Sequence, residues 1–573
     1  MKQFLSIALG ASLACTALPG SAAVDLILHN AKVYTAEPGQ PLQQAVAVDG
    51  DTIVAVGSEQ TVLALKNDAT RLIDLGGKVL MPGMLDSHSH SIKGGLQREL
   101  ADLAGEQLPL DELERRLRQW RDDGKARRGE FLSVAGLPVS YWDAIDALEQ
   151  RFNQGEWSNQ PILFAANDMH TGWANGAMLQ RAGIDAATIA ALPAEARNTL
   201  GQHPDGTPNG FLVDAALYPV TDLLPPLSHD TLLNAGRLAL AYARELGITG
   251  WMDPLANELP GADVKNDSLG VLPVYKELAQ RGELTAHVAA LLMADSKAGP
   301  ADLAELDKVR QQFLGVPNLT LPGIKVFADG VAEIPAQSAA MLEPYRNSGQ
   351  RGELLLDPAH FGELVSAADA RGWLVHVHAI GDRAVRTALD GIEQARRDRQ
   401  SGIPHSITHL QMVSPREYPR FKQLDVIASM QLYWAAADEA NLDLVKPYVS
   451  AMAFLHTFPA RSLLKHGATI AGASDWPIST PQPWKAIYQA TTRRGPKGVL
   501  NANEAIDRET MLQAYTLNAA RAMRLESLIG SLKPGKQADM IVLDRDVFSV
   551  SDEALRDTQV EQTWFAGKLI HAR

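Results

Sequence analysis

The chain has 573 residues, of which 46% are hydrophobic and 21% charged, and it carries a formal net charge of −14. This is the composition of a globular protein long enough for roughly two or three cores, and it excludes a disordered or membrane-embedded chain. The acidic balance argues against nucleic acid or an anionic membrane as a partner and says nothing about the substrate, which is expected to be a small molecule on other grounds.

In chain order, residues 1–23 read as a secretory signal peptide: Lys2 supplies the positive start, Phe4 to Leu18 the apolar run, and Ser21-Ala22-Ala23 the small residues for cleavage. The run is too short for a stable transmembrane anchor, so no membrane insertion is expected after cleavage and the expected location is periplasmic or secreted. The single cysteine, Cys15, lies inside this segment, and Ser12-Leu13-Ala14 ahead of it is a poor lipoprotein motif. The mature chain would then have no disulfide and no thiolate ligand. Any metal must be held by His, Asp, Glu or a modified Lys.

From Val24 to about residue 82 come short β-rich runs such as Leu26-Ile27-Leu28 and Ala45-Val46-Ala47-Val48, and residues 526–573 return to that style in Met540-Ile541-Val542-Leu543 and Val560–Phe565. Two such ends around a different middle predict one small composite β-sandwich. The middle, 83–525, alternates apolar strands with helical stretches, which implies parallel βα units. The strand candidates are Met84–His88, Ile248–Asp253, Thr285–Leu292, Ile324–Ala328, Leu374–Ala379, Ser406–Leu410, Val426–Gln431 and Thr469–Asp475. That number closes a barrel if residues 95–230 are an insertion after the first strand. The predicted fold is therefore α/β: a (β/α)8 TIM barrel carrying an insertion subdomain and the composite sandwich.

The first predicted strand runs into Asp86-Ser87-His88-Ser89-His90. Period-two alternation points His88 and His90 the same way with Asp86 in register, which makes half of a transition-metal site. An isolated His-x-His can equally be a core or surface pair. In a barrel, however, catalytic residues sit at the C-terminal ends of strands, and polar residues recur there: Lys325 on strand four, His376 and His378 on five, His409 on six, Asp475 at the end of eight. Singly, each has a plainer explanation, such as a snorkelling lysine or a helix-capping aspartate. Together, in this order, they point to a metal centre.

Several motifs carry a family resemblance. Val79-Leu80-Met81-Pro82-Gly83 leads into the His-x-His segment, and Gly530-Ser531-Leu532-Lys533-Pro534-Gly535-Lys536-Gln537-Ala538-Asp539-Met540 forms the tail. Between them stand Lys325-Val326-Phe327-Ala328-Asp329-Gly330, His378-Ala379-Ile380-Gly381-Asp382 and Asp168-Met169-His170-Thr171-Gly172-Trp173-Ala174-Asn175. With these the chain resembles the amidohydrolase superfamily, in the amidohydrolase-3 branch to which N-substituted formamide deformylases belong. The resemblance implies that His88, His90 and Asp475 hold one ion, that Lys325, as a carbamate, bridges to a second, and that His378 and His409 hold the second. His376 stays open as a neighbour of the ligands. A buried, neutral lysine amine can add CO₂ and become a bridging anion where a cation would repel the metals.

Zinc, two ions of it, is the expected cofactor for such ligands. The expected reaction is hydrolysis of an amide or other C–N bond in an N-acyl or N-formyl substrate, by metal-activated hydroxide with Asp475 as general acid and base. A deaminase or cyclic-amide hydrolase on the same scaffold, or a catalytically silent binding or regulatory protein, are the alternatives. His170, Trp173, Trp434 and Trp476 are candidate substrate contacts. The chain departs from the branch at Trp434, where a histidine is usual, at Met169, where a glycine is usual, and near Asp214, where a glutamate is usual. The sequence specifies neither the substrate nor the oligomeric state, a homo-oligomer included.

Overall fold

Eight strands form the centre of the protein: β1 (Met84–Asp86), β2 (Ile248–Asp253), β3 (His287–Met293), β4 (Leu319–Phe327), β5 (Leu374–Ala379), β6 (Ser406–His409), β7 (Ile427–Met430) and β8 (Thr469–Gly472). The computed structural model describes residues 24–573 except 169, 260–264 and 266. The expected signal peptide and Met169 lie outside the described residues. Strand order in space follows order in the chain, and neighbouring strands are parallel. The ring closes just beyond the strand ends, where Ser87 N–H donates to Gly472 O (2.9 Å) and Asp475 N–H to His88 O (2.8 Å). The fold is thus the (β/α)8 barrel that the alternating pattern predicts.

The strands form because their residues are apolar on both faces, one turned to the barrel interior and one to the surrounding helices. β3 and β5 are buried along almost their whole length. The helix Asp382–Asp398 after β5 buries Val385, Ala388, Leu389, Ile392 and Ala395, the spacing of one helical face, and places Arg396 and Arg397 in its last turn. β4 begins five residues before the predicted Ile324. The added stretch Leu319-Thr320-Leu321-Pro322 contains a proline, which lacks the N–H that a central strand uses. Pro322 instead sits at a register shift between the pairs Ala289↔Thr320 and Leu291↔Gly323, where that N–H is not required.

Under the barrel, Val79–Pro82 pairs antiparallel with Met540–Leu543, so residues far apart in the chain share one five-stranded sheet. A four-stranded sheet faces it, and Leu28, Val46, Leu80, Met540, Val542 and Trp564 are buried in the core they share. A buried contact from His287, the first residue of β3, to Asp539 ties this unit to the barrel floor (2.8 Å). The stretch after β1 builds a six-stranded sheet of its own, between Arg127–Arg128 and Pro208–Val213, over a core that includes Trp157, Phe164 and Trp173.

Candidate metal centre

The first strand stops at Asp86, two residues short of His88. Strand alternation therefore does not aim the two histidines. A backbone ladder does: Asp475 N–H donates to His88 O and His90 N–H to Trp476 O, both at 2.8 Å. Asp86 is not in register with the histidines as a ligand. Its Oδ1 accepts from the backbone N–H groups of His88 (3.1 Å) and Ser474 (3.0 Å), locking together the two segments that carry the site. Burial pushes its carboxyl up to about 7.

This ladder brings His88 Nε2 to 3.4 Å and His90 Nε2 to 3.2 Å from Asp475 Oδ1. His409 Nδ1 lies 3.8 Å from Asp475 Oδ2. Three of the four residues around this point are almost inaccessible, and His90 is only slightly open. Asp475, His409 and Leu410 adopt left-handed backbone, with φ of +59°, +75° and +52°. Such conformations cost about 1–3 kcal/mol each for non-glycine residues and persist only where surrounding structure enforces them.

The donors fit a metal ion. Ligand atoms of His88, His90 and Asp475 all lie within 4.8 Å of one another. Asp475 Oδ1 and His90 Nδ1 are buried and have no hydrogen-bond partner among the described residues, a costly state for polar atoms that serve packing alone. Tetrahedral coordination with bonds of about 2.0–2.2 Å sets ligand atoms about 3.3 Å apart, close to the spacing seen from Asp475 to each histidine.

The protonation states also suit ligation. Burial holds His88 and His378 down to about 3 and keeps His376 and His409 well below the usual imidazole range, so each is neutral at pH 7. Lys325 on β4 is 1% exposed, and burial lowers its amine to about 7 against the opposing pull of Asp475. Its Nζ sits 4.9 Å from the centre of the Phe327 ring.

His378 and His409 pack with ring centres 4.4 Å apart. His378 Nε2 meets Gly330 O at 3.1 Å, and His409 Nδ1 meets Gln431 Oε1 at 3.1 Å, so each ring keeps its other nitrogen for a ligand. Asp329 interlocks two motifs. Its Oδ1 accepts from Ile380 N–H (3.0 Å) and its Oδ2 from Gly381 N–H (2.8 Å) and Ala340 N–H (2.9 Å). Neither Asp329 nor Gln431 was singled out from the sequence, although a polar Gln431 just past an apolar strand was the available signal.

The candidate substrate contacts separate. Trp434 stacks on the His409 ring, with centres 5.5 Å apart and planes 8° from parallel, so it belongs to the site. Trp173 does not. It is fully buried in the insertion core, stacked on Phe164 at 5.8 Å with its Nε1–H donating to Asn209 O. Trp476 is also a packing residue: its ring covers Gly94 and meets Tyr242 edge-on at 5.7 Å. His170 is half-buried on the insertion and pairs with Asp214 (2.7 Å). Burial would lower its pKa, but Asp214, with Asp168 and Glu333, raises it.

The profile of the amidohydrolase family matches residues 71–571. The chain is 29% identical over 571 residues to Protein LONG AFTER FAR-RED 3 of Arabidopsis thaliana, spanning 96% of this chain and 92% of that one. It is 26% identical over 567 residues to the N-substituted formamide deformylase of Arthrobacter pascens, spanning 96% and 98%. The crystal structure of an uncharacterized metal-dependent hydrolase from Pyrococcus furiosus shares its fold, with a TM-score of 0.68 at 24% identity over 91% of this chain and 99% of that one.

Proposed function

This chain belongs to the amidohydrolase family, and from that premise we propose that it is a zinc-dependent hydrolase of an amide or related C–N bond in a small N-acyl or N-formyl substrate. The observation that carries the reading is Asp475 Oδ1, without a hydrogen-bond partner among the described residues, facing the imidazoles of His90 and His88 at 3.2 and 3.4 Å. In this reading His88, His90 and Asp475 would hold one ion, His378 and His409 would hold a second, and Lys325, as a carbamate, would be a ligand shared by the two. Bound there, zinc supplies Lewis acidity toward water and toward the substrate carbonyl.

The residues of the chain do the rest. Ionised Asp475 accepts the proton released by the attacking water and delivers it to the nitrogen as the C–N bond breaks, a role worth about 10² to 10⁴ in rate. Its left-handed backbone places the carboxylate at that position. The Lys325 amine, lowered by burial to about 7 and so partly neutral near pH 7, forms an N–C bond to CO₂ and releases a proton, leaving an anion among the histidines. Trp434 over His409 forms an apolar wall that limits water beside the scissile bond. The N-formyl and N-acyl substrate class is supported by the likeness to the formamide deformylase along nearly its full length.

The test is hydrolysis of a panel of N-formyl and N-acyl amines by the zinc-loaded protein, with metal counted by elemental analysis. Lys325→Ala should lose most bound metal and activity together and regain part of both with short carboxylic acids. Full metal occupancy in that variant would show that the lysine is not a bridge. A fully loaded wild type that cleaves none of the panel would sink the substrate class. We propose export as well, with N-terminal sequencing of the exported protein expected to begin at Ala23 or Val24.

A further inference from the structure

His376 has no part in that mechanism, yet both of its ring nitrogens are engaged. Nε2 lies 2.7 Å from His88 Nδ1, and Nδ1 lies 2.6 Å from Ser406 Oγ. The residue is fully buried, and strand register places it directly beside Ser406 on β6 and Lys325 on β4. Ser406, His376 and His88 therefore make one hydrogen-bonded chain across the barrel interior, ending on a residue of the metal centre.

We propose that Ser406 and His376 are positioning residues that hold His88 in its Nδ1–H tautomer, so that the Nε2 lone pair is offered to the metal. The inference rests on the reading of His88, His90 and Asp475 as metal ligands. A neutral imidazole has one N–H and one lone pair, so the contact between His88 and His376 contains one proton with two possible owners. If His376 owns it, His88 carries its proton on Nε2, the nitrogen that faces Asp475, and cannot ligate there. If His88 owns it, His376 accepts at Nε2 and its own Nδ1–H donates to the Ser406 oxygen.

The geometry favours the second arrangement. An Nε2–H on His88 would have a bare carboxylate oxygen in front of it and would close to a hydrogen bond of about 2.9 Å. His88 Nε2 instead stands 3.4 Å from Asp475 Oδ1, which has no hydrogen-bond partner among the described residues. That is the arrangement of two lone-pair donors kept apart. Metal-ligating histidines commonly give their second N–H to a carboxylate or carbonyl, and loss of such a partner costs about 10- to 100-fold in metal affinity. Here a second imidazole, itself oriented by a serine hydroxyl, takes that place.

The test compares His376→Gln with His376→Leu in the full chain. Glutamine keeps an acceptor oxygen near the Nε2 position, and leucine fills a similar volume without one. Zinc affinity is measured by competition with a chromogenic chelator, and thermal unfolding of each metal-free protein is recorded alongside. The Leu variant should bind zinc about 10- to 100-fold more weakly. The Gln variant should recover most of that loss, with the two metal-free proteins unfolding at similar temperatures. Equal affinity in the Leu variant and the wild type, or equal weakness in Leu and Gln, overturns the proposal. Ser406→Ala, a smaller change, keeps it falsifiable if the Leu variant does not fold. That variant should also bind zinc more weakly, and wild-type affinity would count against the chain. A wild type that takes up no zinc overturns the metal centre itself, whereas tight wild-type binding with an indifferent His376 overturns only the positioning role.

Discussion

The barrel buries histidine–carboxylate contacts at both ends and uses them differently. At the floor, His287 Nε2 lies 2.8 Å from Asp539 Oδ2, and the other Asp539 oxygen accepts from Ala566 N–H at 2.8 Å. Both carboxylate oxygens are occupied, and the contact staples the sandwich to the barrel. At the mouth, Asp475 faces His88, His90 and His409 at 3.4, 3.2 and 3.8 Å, with one oxygen unpartnered and left-handed backbone at both Asp475 and His409. A carboxylate free to relax would close onto one imidazole, as Asp539 does. The same residue types thus serve as a fastener where they meet at hydrogen-bond length, and form the candidate metal site where the backbone keeps them just beyond it.

The sharpest way to break this contrast is at Asp475. Asp475→Asn keeps the shape and one coordinating oxygen but cannot take a proton near neutral pH. Turnover should fall about 10²- to 10⁴-fold, roughly 3–5 kcal/mol of barrier, while bound metal survives in part. Near-wild-type turnover in the metal-loaded variant would remove Asp475 from the chemistry. At the floor, His287→Leu should do the reverse, costing about 3 kcal/mol in urea unfolding by leaving Asp539 short of a buried partner. Metal content per folded chain should not change, and a loss of metal there would erase the distinction between the two ends. The smallest effect is expected at Gly94, where a Cβ would lie 2.3 Å from the Trp476 ring. Gly94→Ala should cost about 1–3 kcal/mol through overpacking. Because Trp476 follows Asp475, zinc affinity should fall with stability, and an unchanged melting temperature would show that this wedge does not brace the site.

Much of the centre was legible because a polar residue stands out in a strand that must be apolar on both faces. Lys325 within Ile324–Val326 and Asp475 beyond Thr469–Gly472 are conspicuous for that reason, whereas His409 ends a strand, Ser406–His409, that already carries Ser406 and Thr408. The aromatic residues were not separable in the same way. Trp173 sits inside a diagnostic motif yet packs in the insertion core, while Trp434, at a position where the motif departs, stacks on a ligand-type histidine. Tryptophan suits either environment, and the choice depends on where the loop after β7 turns.

The sequence by itself determined the barrel, the strands that build it and the chemical kinds of group at their ends, because periodicity and side-chain chemistry are local properties. Only the tertiary structure decided how those groups meet. Asp86 serves as a clamp between β1 and the loop after β8 through a contact spanning 388 residues of chain, and His376 reaches His88 across 288. The spacing of Asp475 from its histidines depends on ring closure and on left-handed backbone at Asp475 and His409. No local pattern encodes these features, since each is enforced by contacts that exist only once the eight strands have closed.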